Sequence, residues 1–421
     1  MNFGIMVFSS AGVIIFYERE LLMTNKISYL YDHVYHVFFG MGVKVLPYSG
    51  PVKIDGEGSL KHLKMILRKE GKRMPLVVTG PRIVKSSFFQ EEVRTLDQYA
   101  VFSDVHPDPT IANIEEIVSA YHSQNCDCMI AVGGGSNMDA AKAAAARIAC
   151  PDKTLQEMGG LMKVRKKTPL LIAVPTTAGT GSECTVASVV IDEKTHHKYA
   201  VNDPVLCPSY AILDPSLLVS LPPHLTAATG MDALTHAVEA YLNMPYHRKD
   251  TARLCEDAVV KIFAFLPVSY EHPDDLTARK NMLEASYEAG MAITTAAVGN
   301  VHACAHTIGG LYHVQHGIAN AVLLPIILED YGRKIYKPLA RLAKLTGIAS
   351  GDEETCAKAF IKQIRVFNKQ MDLPDHIEGI REEDLAMMAQ WAVKEANPLY
   401  PVPVIYDEAH FIRILKKAGN L

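Results

Sequence analysis

The chain predicts an α/β domain built on a parallel sheet, followed by an all-helical domain. Between residues 51 and 213, short apolar and β-branched runs alternate with amphipathic stretches, the pattern of parallel strands joined by helical crossovers. Proline then punctuates residues 214–223 (DPSLLVSLPP), and the apolar period beyond them is helical to the end. No repeat or low-complexity tract interrupts either half. A division near residue 215 follows, with an α/β unit over 49–215, a helical unit over 216–421 and an N-terminal extension over 1–48.

The strands read in order as PLVVTG, YAVFSDV, CMIAVGGGS and PLLIAVPTT. After the third, Gly133, Gly134, Gly135 and Ser136 form a tight turn into the alanine-rich helix predicted over 137–149. Glycines let backbone approach an anion closely, and the free N–H groups at a helix start attract one. The turn matches neither G-x-G-x-x-G nor the Walker pattern. After the fourth strand, PTTAGTGSE offers small residues and hydroxyls. Two such loops at successive strand ends point to one crevice, because ligands of open α/β sheets bind at the carboxyl ends of strands.

The helical half carries the metal-ligating residue types. Asp232 and His236 stand four apart in TGMDALTHAVEAYL, so one helical face presents a carboxylate and an imidazole together. Glu239 and Asn243 continue that stripe, and a polar stripe on an otherwise apolar helix needs partners. His302, His306, His313 and His316 place four of the 17 histidines within fifteen residues. Oxygen and imidazole donors suit Zn²⁺, Fe²⁺ or Mn²⁺ better than Ca²⁺ or Mg²⁺. Helical spacing makes His302 with His306 the tempting pair, and spacing alone does not choose among the four.

Composition fits a large enzyme: 421 residues, 49% hydrophobic and 21% charged, allow two or more sizeable cores. A net charge of -4 gives no reason to expect nucleic acid. The eight cysteines include no C-x-x-C pair, only Cys126-x-Cys128, which argues against a zinc ribbon or disulfide framework and for a reduced, cytoplasmic setting. Residues 1–17 carry no charge, yet they lack a basic n-region and a cleavage site and fall short of the ~20 residues that span a bilayer. They read as an ordered or frayed extension, or as sequence ahead of a start at Met23, and no membrane partner is expected.

The successive segments GGGSNMDAAK, PTTAGTGSE, GMDALTHAVEAY and HACAHTIGGLYHVQHG resemble the motifs of the iron-containing (group III) alcohol dehydrogenase family. The resemblance runs from about residue 51 to the C-terminus. It implies an N-terminal dinucleotide-binding domain, a helical C-terminal domain and a cleft between them that holds metal and substrate. It assigns the metal to Asp232, His236, His302 and His316, the last two fourteen positions apart, and makes His306 a non-ligand that relays the proton. It places cofactor contacts at Gly80, Gly133, Gly134, Gly135, Ser136, Asp139, Thr176, Thr177, Thr180 and Lys198.

The expected reaction is metal-assisted hydride transfer between a small alcohol or aldehyde and NAD(P). The resemblance favours iron, and zinc comes second because affinity order favours it over iron at a given site. Two departures from the family pattern bear on the cofactor. Gly80, Pro81 and Arg82 follow the first strand where NAD-preferring members carry an aspartate, which favours NADP. Asp108 stands where the family usually has asparagine, putting an adenosine-side contact in question. The resemblance also implies a homo-oligomer, a dimer. Competing readings are a dehydroquinate synthase-like or hydroxyacid-oxoacid transhydrogenase activity on the same architecture, or a non-enzymatic metal-binding protein. The synthase-like reading calls for a basic pocket, and the metal motifs are poor in lysine and arginine.

Overall fold

The computed structural model describes residues 25–45, 48–195 and 197–421, without the side chains of 25–28 and 197. The uncharged segment 1–17 and Met23 lie outside the described residues. Among the described residues, nine strands follow in chain order: β1 (Val52–Asp55), β2 (Pro75–Val78), β3 (Ala100–Phe102), β4 (Cys128–Gly133), β5 (Gly160–Leu161), β6 (Leu170–Pro175), β7 (Ala187–Asp192), β8 (His197–Asn202) and β9 (Tyr210–Leu213). Six form a parallel sheet in the order β1-β9-β6-β4-β2-β3. The four strands expected from sequence are the neighbours β6, β4, β2 and β3.

Both faces of this sheet are covered, which is why its central strands are continuous apolar runs. Leu76, Val78, Met129, Ala131 and Ala173 face one core with the alanine-rich helix Gly135–Ala149. Val77, Ile130, Val132, Ile172 and Val174 face the other, which runs on without a break into Met231, Leu234, Val238, Ile262 and Leu266 of the helical half. The two halves therefore share a core. The proline-punctuated crossing is held rather than slack: buried Asp214 accepts the N–H groups of Leu60 and Ser216.

From β2 the chain moves to one side to form β3 and then returns across β2 to form β4. That reversal opens a crevice at the carboxyl ends of β2 and β4, where ligands of such sheets bind. A small second sheet, β5-β8-β7, includes an antiparallel β7–β8 pair. The sequence reading expected a parallel sheet alone. Among the described residues beyond 222 there are helices and no strand.

Residues 25–45 of the expected extension form the helix Asn25–Val45, whose Tyr35 and Val43 are buried and whose Phe39 packs on Tyr246 with ring centroids 5.2 Å apart. No helix among the described residues is long and apolar enough to cross a membrane.

Candidate active site

Three helices of the second half build a cluster of donor atoms. The first, Pro223–Leu242, is buried nearly all round and carries Asp232, His236 and Glu239 on successive turns. The second, Asn300–Tyr312, carries His302 and His306 and ends where His313 adopts a left-handed conformation, φ 55°. That reversal turns the chain so that His316 opens the third helix, His316–Tyr331. Gly317 permits the approach, since a β-carbon there would lie 2.1 Å from the Ala228 carbonyl oxygen.

Single donor atoms of Asp232, His302 and His316 fall within 4.8 Å of one another. Nε2 of His316, His302 and His236 lie 3.5, 3.7 and 3.9 Å from Asp232 Oδ1. Ligands about 2.1 Å from a common ion sit about 3.4 Å apart in a tetrahedron, so the spacing fits a divalent metal. Of the sequence reading's four ligand candidates, Asp232, His302 and His316 are thus brought together, and His236 borders them through its 3.9 Å approach to Asp232. His306 stands outside the cluster: its ring stacks on His316 at 5.2 Å, while its Nδ1 donates to Glu395 Oε1 at 2.7 Å.

Two of the three rings are oriented from behind, as metal-binding imidazoles are, while buried His316 Nδ1 has no partner among the described residues. His302 Nδ1 donates to Glu239 Oε2 at 2.5 Å, and His236 Nδ1 donates to the Gly179 carbonyl at 3.3 Å, so both Nε2 atoms face the cluster. Glu239 also accepts the N–H groups of Gly299 and Val301 at the start of the His302 helix. Asn243, one turn further on, donates to the carbonyls of residues 296, 297 and 298. Asn320 Nδ2 donates to Asp232 Oδ1 at 2.7 Å and lies 3.2 Å from Nε2 of both His302 and His316, among the donor atoms of the cluster.

Electrostatics follow burial and these contacts. Burial lowers His236 to about 4 and His316 well below the ordinary imidazole value. Burial opposes the charged form of Asp232, but the surrounding histidines outweigh it and hold the carboxyl well below its usual range. Burial likewise opposes the charge on His302, and Glu239 and Asp232 outweigh it, raising the group to about 9.

At the crevice of the sheet the two glycine-bearing loops meet. A β-carbon on Gly134 would lie 3.3 Å from Thr177, and one on Gly135 only 2.6 Å from Thr180 Cγ2. Gly133 holds φ 149°, with Asn137 folded against it. A β-carbon on Gly80, just past β2, would lie 3.7 Å from Asn137 Nδ2. Asn137 Nδ2 is buried with no protein partner among the described residues, and the helix Gly135–Ala149 starts at Gly134 with no side-chain cap. A phosphate-bearing ligand fits this cradle, because it supplies the acceptors that the amide and the helix start lack.

The remaining predicted contacts are placed around that cradle. Thr176 is buried and extends the sheet by donating its N–H to the Gly133 carbonyl. Ser136 Oγ accepts the Asp108 N–H at 3.3 Å, and Lys198 Nζ donates to Asp108 Oδ1 at 2.7 Å. The Asp108 departure therefore comes with a cationic partner. Asp139 does not face the open side of the turn: its carboxylate accepts Ser182 Oγ and the Val189 N–H.

The 176–183 loop joins the two half-sites. It touches Gly134 and Gly135 on one side. On the other, Gly179 abuts Thr229 and accepts from His236, and Gly181 abuts Gly290.

Several residues of this arrangement escaped the sequence reading. Lys142, fully buried, donates to Ser182, Thr185 and Ala187, and its signal was the DAAK spacing that sets it on the same helix as Asp139. Asn320 had the signal of lying one turn after His316. Glu395, and Tyr400 that donates to it at 2.8 Å, had none.

Comparison with known proteins agrees with this geometry. Residues 52–215 match the family described as iron-containing alcohol dehydrogenase, and residues 226–419 match the C-terminal part of the Fe-containing alcohol dehydrogenase family. The chain is 32% identical over 375 residues to NAD-dependent methanol dehydrogenase of Bacillus methanolicus, covering 86% of this chain and 97% of that protein. It is 34% identical over 338 residues to NADPH-dependent butanol dehydrogenase of Clostridium saccharobutylicum, covering 78% and 85%. The crystal structure of a 1,3-propanediol oxidoreductase superposes with TM-score 0.84 at 31% identity, covering 89% of this chain and all of that one. A metal-suited cluster facing a phosphate cradle across one shared loop, together with these matches, places the chain in the iron-containing alcohol dehydrogenase family, as an oxidoreductase acting on CH–OH groups.

Proposed function

We propose that this enzyme interconverts small alcohols and aldehydes at a divalent metal held by Asp232, His236, His302 and His316, iron first and zinc second, and uses NADP(H) at least as well as NAD(H). The observation that carries the reading is the hydrogen bond from His236 to Gly179, because it ties a metal ligand to the loop that packs on the Gly134–Gly135 turn. When bound, the metal supplies Lewis acidity that polarises the substrate oxygen, and the nicotinamide gives or takes the hydride.

The chain's own groups do the positioning. Gly133 to Ser136 and the open helix start receive the pyrophosphate, with Gly80, Thr176, Thr177 and Thr180 around it. Asp139 and Lys142 brace the second loop from inside. Lys198 borders the cofactor through Asp108. His306 passes the proton to or from the substrate oxygen, and Glu395, accepting from its Nδ1, leaves Nε2 free for that exchange.

NADP preference is supported by Gly80, Pro81 and Arg82. No carboxylate follows β2 there to repel a 2′-phosphate, and exposed Arg82 can pair with one. The named relatives divide between the two cofactors. We further propose a cytoplasmic homodimer. The eight cysteines are free thiols, as a reducing compartment keeps them, and the dimer rests on the family resemblance.

The test is to reconstitute metal-free protein separately with Fe²⁺ and Zn²⁺ and follow NADPH and NADH oxidation across short aldehydes. Turnover only with a metal, and at least as fast with NADPH as with NADH at equal concentration, is expected. A strong preference for NADH would sink the NADP reading.

A further inference from the structure

The helix Asn25–Val45 lies outside both regions matched to the family, yet it is tied to the loop behind His306. Tyr29 Oη donates to the Ile405 carbonyl at 3.0 Å, and His36 Nε2 lies 2.9 Å from the Pro398 carbonyl. Because a carbonyl only accepts, the His36 proton sits on Nε2. Two donors seven positions apart lie on one face of a helix, and here they reach two carbonyls that are also seven positions apart. His36 is 5% exposed and packs edge-on against Tyr246 at 5.9 Å. Gly40 allows this seat, since a β-carbon there would meet the Pro245 carbonyl oxygen at 2.6 Å.

The loop 397–406 contains no helix or strand; the Val402 N–H bonds back to the Tyr400 carbonyl and Asn397 Nδ2 to the Tyr406 carbonyl, while the carbonyls of 398, 404 and 405 find their partners outside the loop. From the inner side, Asn300 at the start of the His302 helix donates to the Val404 carbonyl at 2.9 Å. The N-terminal helix supplies the outer side. Between the two outer ties stands Tyr400, whose hydroxyl donates to the same Glu395 oxygen that holds His306.

We infer that the helix Asn25–Val45 is a splint for the loop 397–406, and that Tyr29 and His36 are positioning residues for the reaction, acting through Tyr400 and Glu395 on the ring of His306. The second half of this inference rests on the proton-relay reading of His306. The first half does not.

The test uses the full-length, metal-loaded enzyme with Tyr29→Phe and His36→Ala combined, and His36→Gln as the conservative variant, since its amide N–H also reaches a carbonyl. Backbone hydrogen exchange in 398–406 is expected to rise at least about tenfold in the double variant. Its kcat is expected to fall about tenfold with KM for NADPH unchanged, and the conservative variant should keep both near wild type. Unchanged exchange in the loop overturns the splint. A loosened loop with unchanged kcat overturns the positioning role. In a His306→Ala background the double variant should lower kcat no further. If His306→Ala alone leaves kcat intact, the relay falls and the positioning role with it, whereas the exchange result still decides the splint.

Discussion

Glu239 Oε2 lies 2.5 Å from Nδ1 of His302, and the same carboxylate caps the start of the helix that carries His302. One side chain thus fixes both the ring and the helix beneath it. Glutamine cannot replace it, because three N–H groups converge on two oxygens and an amide has only one to offer. We expect Glu239→Gln to weaken divalent-metal affinity about 10–100-fold, the scale seen when the partner of a ligating histidine is lost. Chelator competition with Fe²⁺ and Zn²⁺ measures this. Wild-type affinity in the variant would remove Glu239 from the metal site.

A second relationship governs the cofactor cleft. Alanine at position 135 would bring its β-carbon within 2.6 Å of Thr180 Cγ2, whereas at position 134 the nearest atoms of Thr177 are 3.3 Å away. Gly135→Ala is therefore expected to raise KM for NADPH by roughly tenfold, about 1.4 kcal/mol, and Gly134→Ala much less. Adding Thr180→Ser to Gly135→Ala removes the clashing methyl and keeps the hydroxyl. Recovery of KM in that double variant checks the contact, and a defect that Thr180→Ser leaves unrelieved would mean the loops do not meet there.

The contrast between what the sequence disclosed and what it withheld has a physical origin. β2, β4 and β6 were readable because burial on both faces leaves runs of apolar residues. The two-residue β5 and the half-buried β7 leave no such run. The stripe of Asp232, His236, Glu239 and Asn243 follows from the helical period, and all four residues find partners. Choosing His316 over His306 is different in kind. Period arguments rank residues within one helix, and His302 and His316 sit on two helices joined by the reversal at His313. Only the family resemblance made that choice from sequence. Glu395 lies 89 positions from His306, and no local pattern joins them.

Lys142 offers a test of the brace beneath the second loop. Its ammonium makes hydrogen bonds of 2.9–3.0 Å to Ser182 Oγ, both oxygens of Thr185 and the Ala187 carbonyl, and its charge faces Asp139. Lys142→Met strands those acceptors and leaves the Asp139 carboxylate uncompensated. We expect stability to fall by about 3–5 kcal/mol, with KM for NADPH rising because Ser182 lies in the cofactor loop 176–183. Denaturant unfolding gives the first number, and a loss below about 1 kcal/mol would show that this buried ammonium carries little.

Glu183 should make stability fall as pH rises. Burial raises its carboxyl from an ordinary 4.5 to about 7, with Lys142 only partly opposing the shift, and Oε1 has no partner among the described residues. Between those two values the folded chain holds the proton and the unfolded chain does not, so the slope of unfolding free energy against pH is negative. The loss begins near pH 4.5 and is complete above about 7, amounting to about 3 kcal/mol at most. Glu183→Gln keeps a neutral, similarly shaped side chain without the titration. The variant should match wild type at pH 4.5 and be the more stable of the two at pH 8. Unfolding curves at both values decide it, and a difference that does not change with pH would place the Glu183 carboxyl in its ordinary range.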